Sequence, residues 1–124
     1  MPCALGSGNV SQKTYRLAPG EIRPLVVGLG ACFATDMITV GGMKVAFMYR
    51  EAPDSDVDSG WRFTSGYESD AYMEDPENHE IYDVNTIANY DPDIIPLLGS
   101  PEGSAFERTG GNGPLTPVDF NPPE

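Results

Sequence analysis

The run Met43 to Glu51 (MKVAFMYRE) sets Met43, Val45, Phe47 and Tyr49 at every second position, with Lys44, Ala46, Met48 and Arg50 between them. A period of two is the repeat of a pleated strand, whose side chains point alternately to its two faces, so the chain must build a sheet to hold this run. A second run, Ala31–Ile38 (ACFATDMI), precedes it across Thr-Val-Gly-Gly, where glycine supplies the positive φ of a tight turn. The two are predicted to pair as an antiparallel hairpin. Trp61 and Phe63 continue the same period in GWRFTSG, which predicts a three-stranded meander whose apolar face is closed by aromatic residues. Arg23–Val27 and Ala105–Glu107 are short candidates for extra edge strands.

The second half of the chain follows a different pattern. Asp75-Pro76-Glu77 and Asp91-Pro92-Asp93 each place a capping residue before a proline at the first helical position, with an acid behind it to suit the positive end of the helix dipole, so a short helix is predicted at each. Pro96 lacks the amide that a second turn would use, which limits PDIIPLLGS to one or two turns, partly 3₁₀ and ended by Gly99. Ser69–Glu74 and Asn85–Asn89 are read as two further single turns. The fold class expected is α+β: an antiparallel sheet with short helices packed against it. Residues 1–21 are rich in Gly, Ser and polar groups and residues 109–124 in Gly and Pro, so both are expected to be loosely ordered around one domain at 22–108.

With 124 residues the chain has room for one modest core, and its apolar fraction of 40% suffices to fill it. Nineteen acidic against seven basic side chains give a net charge of −12. That field repels polyphosphate, which argues against nucleic acid as a ligand, and attracts a basic protein partner. The N-terminal MPCALGSGNVSQK has no cationic start followed by an apolar stretch, so it does not read as a secretory signal, and no window is apolar enough to span a membrane. Cys3 and Cys32 have no CxxC spacing, and the expectation is two reduced thiols in a cytoplasmic protein.

The acidic run Asp54-Ser-Asp56-Val-Asp58-Ser-Gly60 begins as a calcium loop begins. The match then fails: Ser59 holds the sixth place where glycine belongs, Ser65 holds the twelfth in place of a bidentate glutamate, and strands flank the loop instead of helices. It reads instead as a solvated connection between strands, with Gly60 freeing the backbone before Trp61 and an acidic tip suited to recognition. His79 lies in the polar Asn78-His79-Glu80, with no nucleophile paired to it and no second ligand at zinc spacing, so no catalytic residue, metal or cofactor is expected. Tyr49, Tyr67, Tyr72, Tyr82 and Tyr90 suit a half-buried sheet face or an interface rim. A small-ligand or enzymatic site would have to use Arg62, Tyr82, Asn85 and Asn89, the polar set with the means to converge. A third class is a domain that associates with itself through its sheet edge.

YRE, DSGWRF, SG, YM, NTIANYDP and GSAFER stand in that order between Tyr49 and Arg108, preceded by CFATDMI. Over about residues 31–108 the sequence resembles the bacterial immunity protein thirty-three domain family, formerly a conserved domain of unknown function. The resemblance implies a small intracellular domain that binds and neutralises a toxin of a polymorphic or contact-dependent system, and it carries over no catalytic residue. Combined with the acidic charge, it nominates Asp54, Asp56, Asp58, Trp61, Glu68 and Asp70 as contacts to a basic toxin.

Overall fold

The computed structural model describes residues 15–109 and 113–119. Six strands form one sheet: β1 (Ala31–Thr35), β2 (Phe47–Arg50), β3 (Asp58–Thr64), β4 (His79–Asp83), β5 (Ala105–Arg108) and β6 (Leu115–Pro117). Across the sheet they run β4-β1-β3-β2-β5-β6. β1 and β3 are parallel, and every other neighbouring pair is antiparallel. The helices are short: α1 (Asp36–Thr39), α2 (Asp70–Glu74) and α3 (Val84–Tyr90), with 3₁₀ turns at Pro19–Glu21, Pro76–Asn78 and Pro92–Leu97. The class is α+β, as the sequence predicts, but the sheet is mixed and wider than a three-stranded meander.

The predicted hairpin between the first two strands is not formed. Thr35 is the last extended residue of β1, and the next four turn as α1, which buries Ile38 and Thr39. The glycines then close that helical turn, because Val40 and Gly41 N–H both donate to the Asp36 carbonyl and Gly42 N–H to that of Ile38. Freed from β2, β1 accepts β3 as a parallel neighbour and β4 as an antiparallel one. β3 thus lies between β1 and β2, and only its pairing with β2 follows chain order.

Register decides which residues reach the core. Phe63 lies opposite both Ala34 and Met48, and Met48 lies opposite Phe106, so one row of apolar side chains crosses four strands. All four are buried. Met48 therefore faces the helices, while Phe47 and Tyr49 point to the opposite face, so the aromatic pair of β2 does not share a face with Trp61 and Phe63. Trp61 stacks on Phe63 at a centroid distance of 6.1 Å, and its indole N–H donates to the Leu98 carbonyl at 3.3 Å. Ile38, Val84, Ile87, Ala88, Ile94 and Leu98 cover this row from the helical side. Each large side chain so buried contributes roughly 1.5–3 kcal/mol.

Both Asp-Pro starts are present: Asp75 and Asp91 accept from the N–H groups of Glu77 and Asp93, and each proline opens its 3₁₀ turn. Ser69 caps α2 and Asp83 caps α3, which extends the predicted turn at Asn85–Asn89 to Val84–Tyr90. Arg23–Val27 is not a strand. It is held by α3, with Asn89 Oδ1 accepting from Arg23 N–H, Asn85 Oδ1 from Leu25 and Val26 N–H, and both amide nitrogens donating to the Arg23 carbonyl. Ala105–Glu107 does form a strand, but an interior one, because β6 pairs beyond it. Structure also extends outside 22–108: Leu17 N–H donates to the Tyr90 hydroxyl, and Leu115 packs on the core. Of the two end segments expected to be loosely ordered, residues 1–14, 110–112 and 120–124 lie outside the described residues.

Arg108 and Asp91 tie the sheet to the helical layer. The guanidinium donates to Asp91 Oδ2 at 2.7 Å, to Asp93 Oδ2 at 3.1 Å, and to the carbonyls of Val45 and Gly113 at 2.9 and 2.8 Å. Asp91 also accepts from Val45 N–H at 3.0 Å, and both side chains are buried. Removing one partner leaves the other charge buried and unpaired, so Arg108→Met is expected to cost about 3–5 kcal/mol in urea unfolding, and Arg108→Lys, which keeps charge but loses the fork, an intermediate amount. A loss for Arg108→Met no larger than for a surface substitution would show that the pair does not hold the layers together.

Candidate functional site

α1, α3 and the 3₁₀ turn at Pro92–Leu97 cover one face of the sheet, and the other carries a row of side chains in register across five strands. Ile81 lies opposite Phe33, Phe33 opposite Arg62, Arg62 opposite Tyr49, and Tyr49 opposite Ala105. Over this row lies an open hollow of about 290 Å³ lined by Phe33, Tyr49, Glu51, Arg62, Met73 and His79. Met73 comes from α2, which starts where Ser69 caps it, so the local capping of that helix sets one wall of the hollow. His79 ends the preceding 3₁₀ turn and begins β4; its Nε2 lies 3.1 Å from the Met73 carbonyl, and its ring meets Phe33 edge-on at 6.3 Å.

Arg62 is the centre of the row. Its guanidinium carbon sits 4.8 Å over the Phe33 ring, a cation–π geometry. Nε donates to Glu51 at 2.7 Å, and the two terminal nitrogens grip both oxygens of Asp58 at 3.0 and 2.9 Å. This fork-to-fork pair is the strong form of an ion pair. Hydrogen bonding to Arg62 holds the Asp58 carboxyl well below the usual carboxylate range. For Arg62, burial favours loss of the proton, but Asp58 and Glu51 outweigh it and raise the pKa further. Burial, and then the Glu51 charge, push the Tyr49 phenol up.

These contacts explain the acidic run. Asp58 accepts from Gly60 N–H at 2.9 Å and from Asp54 N–H at 2.8 Å as well as from Arg62, so its oxygens fold the loop around an arginine. Gly60 is required there: its φ is +89°, and a Cβ would lie 2.2 Å from the Glu51 carbonyl oxygen. Among the described residues no group of three or more His, Cys, Asp and Glu is placed to hold a metal ion. Asp54 and Asp56 stay exposed at the tip. Beside them a second hollow of about 130 Å³ lies between Phe33, Val57 and Ile81, with Asp54 and Asp58 on its wall. Val57 and Ile81 are 70% and 64% exposed, apolar surface left in water at the centre of an acidic border.

The residues nominated from sequence separate into different roles. Asp54, Asp56 and Asp58 stand together at one side of the open face. Glu68 and Asp70 stand near α2: Asp70 is exposed in its first turn, but Glu68 accepts from Ser65 and Gly66 N–H at 2.8 and 3.0 Å and from the Thr35 hydroxyl. Burial would raise the Glu68 pKa, yet those hydrogen bonds outweigh it and lower it. Trp61 is 1% exposed and on the helical face, so it is core and not a contact.

The alternative polar set does not converge. Arg62 is on the open face, whereas Asn85 and Asn89 bind the main chain of residues 23–26 on the helical side, and the Tyr82 hydroxyl is 3.0 Å from that of Thr39. Burial raises the pKa of Tyr82, and it does the same for the free thiol of Cys32; Cys3 lies outside the described residues. Phe33, Glu51, Met73 and Ile81 were not nominated, because only the register across β4, β1, β3 and β2 makes them neighbours. No helix among the described residues is long and apolar enough to cross a membrane.

A carboxyl whose folded pKa is depressed stabilises the fold above its unfolded value and loses that contribution as pH falls toward the folded value. For Asp58 the contribution is full above about pH 4 and is lost below it. Asp58→Asn is therefore expected to be less stable than wild type at neutral pH, with a shallower further loss between neutral and strongly acidic pH. Urea unfolding at a series of pH values measures both slopes, and parallel slopes would show that the pair with Arg62 carries no linkage.

No curated protein and no solved structure matches this chain. The sequence profile of one family, described as the immunity protein Imm33 domain, matches residues 32–119, a span from β1 through β6 that includes the Arg62 row and the Asp91–Arg108 tie. With that much of its length matched, the chain belongs to the Imm33 immunity protein domain family.

Proposed function

We propose that this chain is an immunity module that neutralises a basic protein toxin by docking it on the open sheet face. The observation that carries the reading is an apolar bed inside an acidic border: Phe33, Tyr49, Val57, Met73 and Ile81 lie among Glu51, Asp54 and Asp56. Arg62, the cation within that bed, is already neutralised by Glu51 and Asp58. Apolar anchors ringed by polar groups are the anatomy of a protein interface, and the net charge of −12 steers a basic partner toward it. Family membership supports the toxin as the class of partner.

In this reading Asp54, Asp56 and Asp70 touch the partner, while Asp58 and Glu68 act by fixing the loops that present them. Neither a catalytic residue nor a cofactor is assigned, and nucleic acid and membrane surfaces are disfavoured as partners by the same negative charge. The compartment proposed is the cytoplasm, where the resident of an immunity system meets a delivered toxin.

The purified chain is expected to form a one-to-one complex with the toxin domain encoded beside its own gene, with affinity falling as salt rises. Asp54→Lys with Asp56→Lys should weaken that complex by about tenfold or more in calorimetry at low salt, without lowering the melting temperature. Full toxin activity in the presence of excess wild-type chain would overturn the reading.

A further inference from the structure

We propose that β4 is a docking edge, at which an extended basic segment of the partner adds to the sheet as a new strand. This rests on the partner-binding reading above and specifies how the partner is held. The direction of the β4 backbone groups follows from one hydrogen bond: Val84 N–H donates to the Gly30 carbonyl at 2.9 Å. In the antiparallel ladder of β4 and β1, Ala31 lies opposite Asp83 and Cys32 opposite Tyr82, which makes Gly30 and Val84 a bonded pair one step beyond. Bonded and non-bonded pairs alternate in such a ladder. Tyr82 and Glu80 therefore turn their amides toward β1, and Ile81 turns both its N–H and its carbonyl outward, with the Asp83 N–H pointing the same way.

Among the described residues no strand lies beyond β4. The two edges of the sheet are built differently. At the far edge, β6 has three residues, ends on Pro117 and follows Pro114, and proline cannot donate to an added strand. β4 has five residues, His-Glu-Ile-Tyr-Asp, with neither proline nor lysine. Its central side chain, Ile81, is 64% exposed beside Val57 at 70%. The hollow along this edge is lined by Asp56, Val57, Ile81 and Asp83, and none of its lining residues is basic.

The occupant follows from charge. A second copy of this chain would bring another net charge of −12 to an edge that is itself acidic, which opposes pairing of like edges. A segment alternating cationic and β-branched residues would instead pair its main chain with Ile81, set its β-branched side chains on Ile81 and Val57, and by strand alternation carry its cations on the opposite face, beside Glu80 and within the field of the acidic edge. Strand addition of this kind takes affinity from main-chain hydrogen bonds and specificity from alternate side chains.

The test uses the full chain and a short synthetic peptide alternating lysine with valine, read by amide hydrogen exchange and NMR titration. In the free protein the Ile81 amide is expected to exchange much faster than that of Tyr82; with peptide bound, Ile81 and Asp83 should gain protection. Ile81→Pro removes only an outward donor, so it should keep the fold and weaken peptide binding by about tenfold or more, while Ile81→Thr, which keeps the donor, should weaken it less. Absence of protection at Ile81, equal losses for the two variants, or pairing of two copies through β4 seen by ultracentrifugation would overturn the docking edge. Those results leave toxin neutralisation to its own assay, and a toxin that fails to bind while the peptide does would separate the two conversely.

Discussion

The fold depends on a charge that is kept out of water. Asp91 is buried between the end of α3 and the start of the 3₁₀ turn it caps, and Arg108 reaches it there from β5. Val45 is bound by both residues, its N–H by Asp91 and its carbonyl by Arg108, so the entry to β2 is fixed at the same point. Three stretches of chain distant in sequence, at Val45, Asp91 and Arg108, thereby meet at one polar site. A well-packed apolar substitute often costs less than such a pair, so its contribution here is to geometry: the helical layer has one position on the sheet in which no charge is left alone.

Arg62 does the corresponding task on the opposite face. Strand alternation sends Trp61 and Phe63 into the core and Arg62 out between them, so the sheet face that the helices leave open carries a cation at its centre. Glu51 and Asp58 cancel that charge, and the cost of ordering them is shared with the loop that Asp58 folds through Gly60 and Asp54. The acidity of that loop thus has two parts. Asp58 is structural, and the charge of Asp54 and Asp56 remains displayed toward solvent.

Local chemistry was legible from sequence and partner choice was not. The Asp-Pro starts, the helical turn within Ser69–Glu74 and the strands around Phe47–Arg50 and Trp61–Thr64 are written in adjacent residues, and each appears in the structure. The hairpin expected across Gly41-Gly42 fails because a glycine pair that can turn a hairpin can equally end a helix, and Asp36 initiates one. The sequence offers Asn78-His79-Glu80 as a polar stretch and no strand at β4, because the outward apolar residue of that strand, Ile81, stands alone between charged and polar neighbours. Its existence as a strand depends on β1, nearly fifty residues earlier, having no other antiparallel partner. The same long-range register hid the Phe33, Arg62 and Tyr49 row, and it reversed the face assigned to Tyr49.

The two asparagines of α3 grip residues 23–26 entirely through peptide groups: the side chains of Arg23, Leu25 and Val26 take no part in those bonds. Such a grip does not depend on which side chains pass through it, except that proline is excluded from positions 23, 25 and 26, whose N–H groups donate. Apart from Val26, whose side chain packs against the core, the arm leading into β1 can therefore drift in sequence without losing its place, and Leu25 and Val27, both exposed, are free to be shaped by whatever lies outside the molecule. A hold that ignores side chains gives this surface room for change that the ion pairs elsewhere in the fold do not allow.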